Sequence, residues 1–349
     1  MLTQRENFIR NARFQFPQWT PITIAVNDAT KRHLGRELAD VMKHYPLFFP
    51  NVDEKTFGNP KSLEEALEQK DNFITDKWGC VWNFPIPGFD GIVVKSPLEN
   101  WDNIKNYSFP NDLKDINWQN VKNYGIQLKN NGQLFSSGIP EHGWLFLRLT
   151  YLRGFENAMF DFMDDDPRLQ SLIDKIVEYY ESYVLNYVNC GVDMMGFADD
   201  LGTQTATILS PEKLKQYIFP AYNKLMAYCK NKGVLIHMHS DGYTIDILED
   251  QIKAGVDIVN PQDLCNGIDE LARRIKGKAC IDLDIDRQKI LPFGTPKEIE
   301  EHIEYCFKML GDKKGGLQFI VGIYPPTPPE NIDALCRAFQ KYRTFWFDK

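Results

Sequence analysis

The stretch Val234-Leu-Ile-His237-Met-His239-Ser-Asp241-Gly242-Tyr243 decides the fold. Its first half is apolar and rich in branched residues, the composition of a buried strand. Its second half sets two histidines and an aspartate at i, i+2 and i+4. Alternate residues of a strand point the same way, so the three side chains share one face at the strand's exit. Gly242 then lets the backbone turn sharply. In parallel α/β folds the strand exits are where active sites form, so one segment predicts a strand type and a site together.

The pattern repeats around it. Asp166-Pro167 opens a helix with apolar residues at 169, 172, 173, 176, 177, 180 and 184, closed by Gly191. Residues 192–197 read as a strand leading into Asp199-Asp200, and Ser210-Pro211 starts a helix kinked at Pro220. Strands follow at 256–260, 279–283 and 317–321, exiting into Gln262, Asp284 and Tyr324, with a capping box at Thr295-Pro-Lys-Glu298. These make five consecutive βα units. The first half is less regular: a strand at 21–26, segments 73–82 and 91–95 that could pair as a hairpin, a polar stretch over 98–132, a strand at 133–137 and a helix over 144–162. About eight main strands predict a (β/α)8 TIM-type barrel with an N-terminal elaboration. The expected organisation is one domain over 1–349, irregular to about 132 and regular from 133, with its pocket at the C-terminal strand ends. A doubly wound sheet is disfavoured because no Gly-rich dinucleotide fingerprint follows an early strand.

A net charge of −8 argues against a nucleic-acid partner. The seven cysteines are odd in number and contain no CxxC pair, which excludes a disulfide scaffold and reads as free thiols. No window is long and apolar enough to span a membrane, and the first residues lack a signal peptide's apolar core. A cytoplasmic protein is expected.

The predicted mouth of the barrel carries Asp199, Asp200, His239, Asp241, Asn260, Gln262, Asp282, Asp284 and Tyr324. So many polar residues at strand ends fit a pocket better than a core, where each would need a partner. His237, His239 and Asp241 carry metal-ligand chemistry suited to zinc or iron, and His237 also reads as a packed core histidine. Asp199 and Asp200 are adjacent on a strand, so one at most faces the pocket. Arg148 and Arg153 are the arginines expected near pocket segments.

The chain resembles the uroporphyrinogen decarboxylase superfamily, which includes decarboxylases and corrinoid-dependent methyltransferases. The resemblance rests on Arg5-Glu6 with Phe14-Gln-Phe-Pro17, Thr75-Asp76-Lys-Trp78-Gly79 and Leu152-Arg-Gly-Phe155-Glu156-Asn157. It continues through Ala198-Asp199-Asp200-Leu-Gly202, Ser210-Pro211-Glu212, His239-Ser-Asp241-Gly242, Gly255-Val-Asp257 and Gly322-Ile-Tyr324-Pro325 to Glu330-Asn331. The arginine-rich opening of decarboxylases that grips a porphyrinogen's propionates is not matched by residues 14–19. The methyltransferase branch holds zinc through HxC and a later cysteine, and here Asp241 and Val321 stand in the cysteine places. What the resemblance implies is a methyltransferase taking a methyl group from a small donor, an aryl methyl ether or a methylamine, to a corrinoid on a partner protein. In that reading His239, Asp241 and Asp199 are catalytic, while His239, Asp241 and His237 are the ligands of any zinc. Asp200, Asn260, Gln262, Asp282, Asp284, Tyr324, Arg148 and Trp78 would contact the substrate. A decarboxylase of a tetrapyrrole or other cyclic acid, and a corrinoid- or tetrapyrrole-binding module without turnover, stay open beside it. So does a homodimer.

Overall fold

The structure, a computed structural model, describes residues 1–138 and 141–347. Ten strands are present among these residues: β1 (Ile22–Val26), β2 (Phe73–Thr75), β3 (Val81–Asn83), β4 (Ile92–Lys95), β5 (Ser136–Gly138), β6 (Met194–Ala198), β7 (Leu235–Ser240), β8 (Ile258–Pro261), β9 (Cys280–Asp284) and β10 (Leu317–Ile323). Seven of them form one parallel sheet in the order β1-β10-β9-β8-β7-β6-β5. The sheet curls, because residues from β5 through β10 line one shared cavity. This is a TIM-type α/β fold with seven parallel strands, and no hydrogen-bonded pairing joins β1 to β5 among the described residues.

The expected count of about eight fails in the N-terminal elaboration. Residues 73–82 are not one strand but a hairpin of their own, β2 against β3, to which β4 adds an antiparallel third strand. Asp76 makes the turn: its Oδ1 accepts from the amides of Trp78 and Cys80 at 2.9 Å each, and Gly79 sits at φ 78°. The helix expected over 144–162 is likewise two helices, Phe146–Arg153 and Phe155–Met163. Gly154, at φ 81° and ψ 142°, breaks them. Over 98–132 the chain forms two short 3₁₀ turns and the helix Trp118–Asn130.

The C-terminal half follows its sequence signals. Asp166 caps Pro167–Cys190, whose apolar stripe is buried. Thr295 and Glu298 form the capping box of Pro296–Leu310. Ahead of Pro220, which cannot donate within a helix, the chain widens into a π turn over Leu214–Ile218. In β7 the outward Ile236 and Met238 join the apolar core, and His237 and His239 line the cavity, as strand alternation requires.

Where β6 and β7 end, two glycines touch. A Cβ on Gly202 would lie 2.5 Å from the Tyr243 amide nitrogen, and one on Gly242, at φ 81°, would lie 2.4 Å from the backbone of Gly202. The contact fixes how the loops bearing Asp200 and Asp241 approach each other. Gly242→Ala should therefore cost about 2 kcal/mol or more of stability, read by denaturant unfolding, through backbone strain and overlap together. A change within about 0.5 kcal/mol would mean that the loops separate freely.

Candidate active site

His239 is the centre of the strand-exit cluster. Asn260, its register partner on β8, donates through Nδ2 to the Asp282 carbonyl at 2.5 Å. That carbonyl can only accept, so Asn260 Oδ1 faces His239 Nδ1 at 2.7 Å and the histidine carries a proton there. Nε2 is left toward the mouth, 3.4 Å from Asp241 Oδ1 and 3.8 Å from Asp200 Oδ1. Burial works against the imidazolium, but Asp241, Asp200 and Asp284 outweigh it and raise its pKa from 6.5 to about 9.

Asp241 is held from three sides. Arg287 donates to both of its oxygens at 2.8 and 2.9 Å. Gln262 donates to Oδ1 at 2.8 Å, and its own Oε1 accepts from the Gly242 amide. The Asp241 amide in turn donates to Asp200 Oδ1 at 3.0 Å. Burial would raise the Asp241 carboxyl, yet His239 and Arg287 hold it below the usual range. Arg287 also lies 3.5 Å from Asp284 and over the Tyr324 ring. Asp284 is nearly buried, and burial pushes its carboxyl up to about 7 in spite of Arg287 and His239.

These groups border a cavity of about 350 Å³. His237, His239, Asn260, Asp284, Arg287 and Glu141 supply its polar wall, and Phe197 and Ile320 its apolar one. It is not the largest cavity. One of about 620 Å³ lies at the opposite strand ends, by the starts of β1 and β10. Cavity size therefore does not mark the titratable cluster, and the expectation of one dominant pocket at the exits is corrected.

Other expected residues fall elsewhere. Asp199 points away from the pocket and is fully buried. Its carboxylate accepts from the amides of Leu145, Phe146 and Leu147 and from the Tyr222 hydroxyl, at 2.7 to 3.2 Å, capping the helix Phe146–Arg153 from a distance. Burial lifts its carboxyl to about 6, against these donors. Asp200 is the member of the pair that faces the site. His237 lies deeper, 2.8 Å from Asp282, and is not among the gathered donors Asp200, His239 and Asp241. Trp78 and Arg148 are fully buried: the guanidinium rests over the Trp78 ring and pairs with Asp76 at 3.2 Å, so neither lines the cavity. Arg153 is buried with Asp161. The pocket arginine is instead Arg287, overlooked in the sequence although it stands three residues beyond Asp284 at a strand exit. Glu141 was overlooked too, having no strand or motif to mark it.

A curled parallel sheet with a histidine and carboxylates at its exits is the arrangement of a TIM-type α/β fold, in which active sites sit at those strand ends. A family model described as "Uroporphyrinogen decarboxylase (URO-D)" matches residues 146–342. The chain belongs to the uroporphyrinogen decarboxylase family. A uroporphyrinogen decarboxylase of Prochlorococcus marinus (strain AS9601) is 23% identical over 86% of this chain and 89% of its own. One from strain MIT 9301 is 27% identical over the same shares. A solved methyltransferase from Methanosarcina mazei has the same fold, with a TM-score of 0.65 at 17% identity, covering 98% of this chain and 99% of its own.

Two outcomes test this geometry. Asp241→Asn should lower the His239 pKa from about 9 toward its ordinary value, followed by NMR of the ring; an unmoved titration would take Asp241 out of the network. Asp199→Ala strands three helix amides and a tyrosine hydroxyl in the core and should cost about 3 kcal/mol in denaturant unfolding. The His239 shift also has a sign in stability. Its contribution is fully present below the ordinary 6.5 and is lost as pH rises through about 9.

Proposed function

We propose that this chain demethylates a small substrate, an aryl methyl ether or a methylamine, and passes the methyl group to a corrinoid carried by a partner protein. His239 is the proton donor. The observation that carries the reading is its arrangement: Nδ1 is committed to Asn260, and Nε2 is directed at the mouth between two carboxylates that keep the ring cationic at neutral pH. When the carbon–oxygen or carbon–nitrogen bond breaks, the electron pair stays on the leaving atom, and a proton from His239 Nε2 neutralises it. Asp241 orients that ring, while Arg287 and Gln262 hold Asp241 still.

The corrinoid, when docked, supplies the nucleophile that accepts the methyl group. A cavity of about 350 Å³ sits at the small end of ligand pockets, which run from about 300 to 1,000 Å³, so it suits a compact donor with the corrin ring outside the mouth. A zinc ion fits less well. Asp200, His239 and Asp241 bring their donor atoms within 4.8 Å of one another, but both Asp241 oxygens already accept from Arg287. A dication would sit against a guanidinium, so no step is drawn through zinc. The fold shared with a methyltransferase admits the proposed chemistry.

A decarboxylase of a small cyclic acid is the second reading. Arg287 favours it as a carboxylate binder beside acids, as do the names of the curated relatives. The octa-anionic uroporphyrinogen is disfavoured, because Arg287, the one arginine lining this cavity among the described residues, is already engaged by Asp241 and Asp284.

The test is a screen of methyl ethers and methylamines with reduced cobalamin, read by its spectral change on methylation. His239→Ala should lose activity by at least about a hundredfold, the low end for a general acid, with little change in melting temperature. The wild-type rate should hold through neutrality and fall as pH rises through about 9. Exhaustive chelation should leave it unchanged; loss restored by zinc would return the metal to the site. Release of carbon dioxide from cyclic acids without cobalamin methylation would favour the second reading.

A further inference from the structure

The cavity of about 620 Å³ at the opposite strand ends has no part in the chemistry proposed above, and a cation, Arg343, lines it. Phe8, Trp19, Ile22, Phe48 and Phe319 form a largely apolar wall, and Arg343 enters it from the end of the last helix. The guanidinium lies over the Trp19 ring, 5.5 Å from its centroid. No carboxylate pairs with it among the described residues; Arg10, Arg13 and Arg36 also lack one but are exposed, and Arg32 donates instead to the Ala66 and Pro87 carbonyls. Burial lowers the pKa of Arg343, with no neighbouring charge raising it. The planar fork of this partly buried guanidinium matches a carboxylate. Gln4 and Thr23 also line the space and add polar side chains.

We infer that this cavity binds a small aromatic carboxylate, the carboxylate on Arg343 and the flat body against Trp19 and Phe48. The site is separate from the strand-exit pocket, so it stands whether the demethylation reading holds or fails. A bound anion would supply the missing charge, and the aromatic walls would take the ring by stacking and burial.

Calorimetric titration of the full chain with benzoate tests this. Benzoate should bind, and neutral benzyl alcohol should bind at least about tenfold more weakly, as the loss of a charge-assisted pair implies. Arg343→Gln should weaken benzoate by a similar factor, and Arg287→Gln, in the other pocket, should leave it unchanged. No binding to the wild type, binding indifferent to Arg343→Gln, or binding removed by Arg287→Gln would overturn the proposal. Crystals soaked with 4-bromobenzoate give a reading that needs no variant: the anomalous bromine peak is expected beside Trp19, and a peak only at the strand exits would refute the site.

Discussion

Arg287 grips Asp241 through both oxygens, and the order of the strand-exit site depends on that pair. Both oxygens accept from one nitrogen, Nη2, while Nη1 reaches toward Asp284, so the guanidinium ties the two carboxylates to each other. Asp241, so held, keeps one edge toward His239 Nε2, and Gln262 braces it from just beyond β8. The same arginine spans to Asp284 and lies on Tyr324, so residues after β7, β8, β9 and β10 form one connected unit. The histidine is thereby ordered at both nitrogens, with the amide of Asn260 behind it and carboxylates in front.

A second constraint lies behind the pocket. Asp199 spends its carboxylate on the open amides of the helix Phe146–Arg153 and on Tyr222. Its neighbour Asp200 is on the other face of the chain and is free to approach His239. Two adjacent aspartates therefore divide the work, one securing a helix to the sheet and one shaping the field of the site. The glycine contact between Gly202 and Gly242 brings the Asp200 and Asp241 loops close enough for this, since any side chain there would part them.

The result is an acidic, histidine-centred pocket whose arginine is already occupied. Such a pocket suits proton delivery to a leaving group better than capture of a polyanion. Carboxylates around an imidazole hold its proton at neutral pH, and the low-dielectric surroundings strengthen that hold. The Asp263–His302 pair on the outer helices, by contrast, is closed by a 2.6 Å hydrogen bond and does not line this cavity.

Much of this was legible in the chain alone. Apolar runs ending in Gly or Asp, and helices opening at Asp166-Pro167 and Thr295-Pro296, set the parallel βα units, because strand and helix periodicity are local properties. Alternation in residues 235–241 likewise put His237, His239 and Asp241 on one side, and adjacency correctly allowed only one of Asp199 and Asp200 to face the pocket. Which one did was a tertiary matter, decided by where the amides at residues 145–147 needed an acceptor. Arg287 sits in a loop with no period to reveal its direction, and only the closure of β9 toward β7 brings it to Asp241. Trp78 looked like a pocket residue because its motif matched the family, and Arg148 because it is an arginine near pocket segments, yet each is buried, the guanidinium of Arg148 lying over Trp78 and pairing with Asp76. Local pattern determined the elements and the faces; long-range packing decided which charged groups met, because their partners lie tens or hundreds of residues away in the chain.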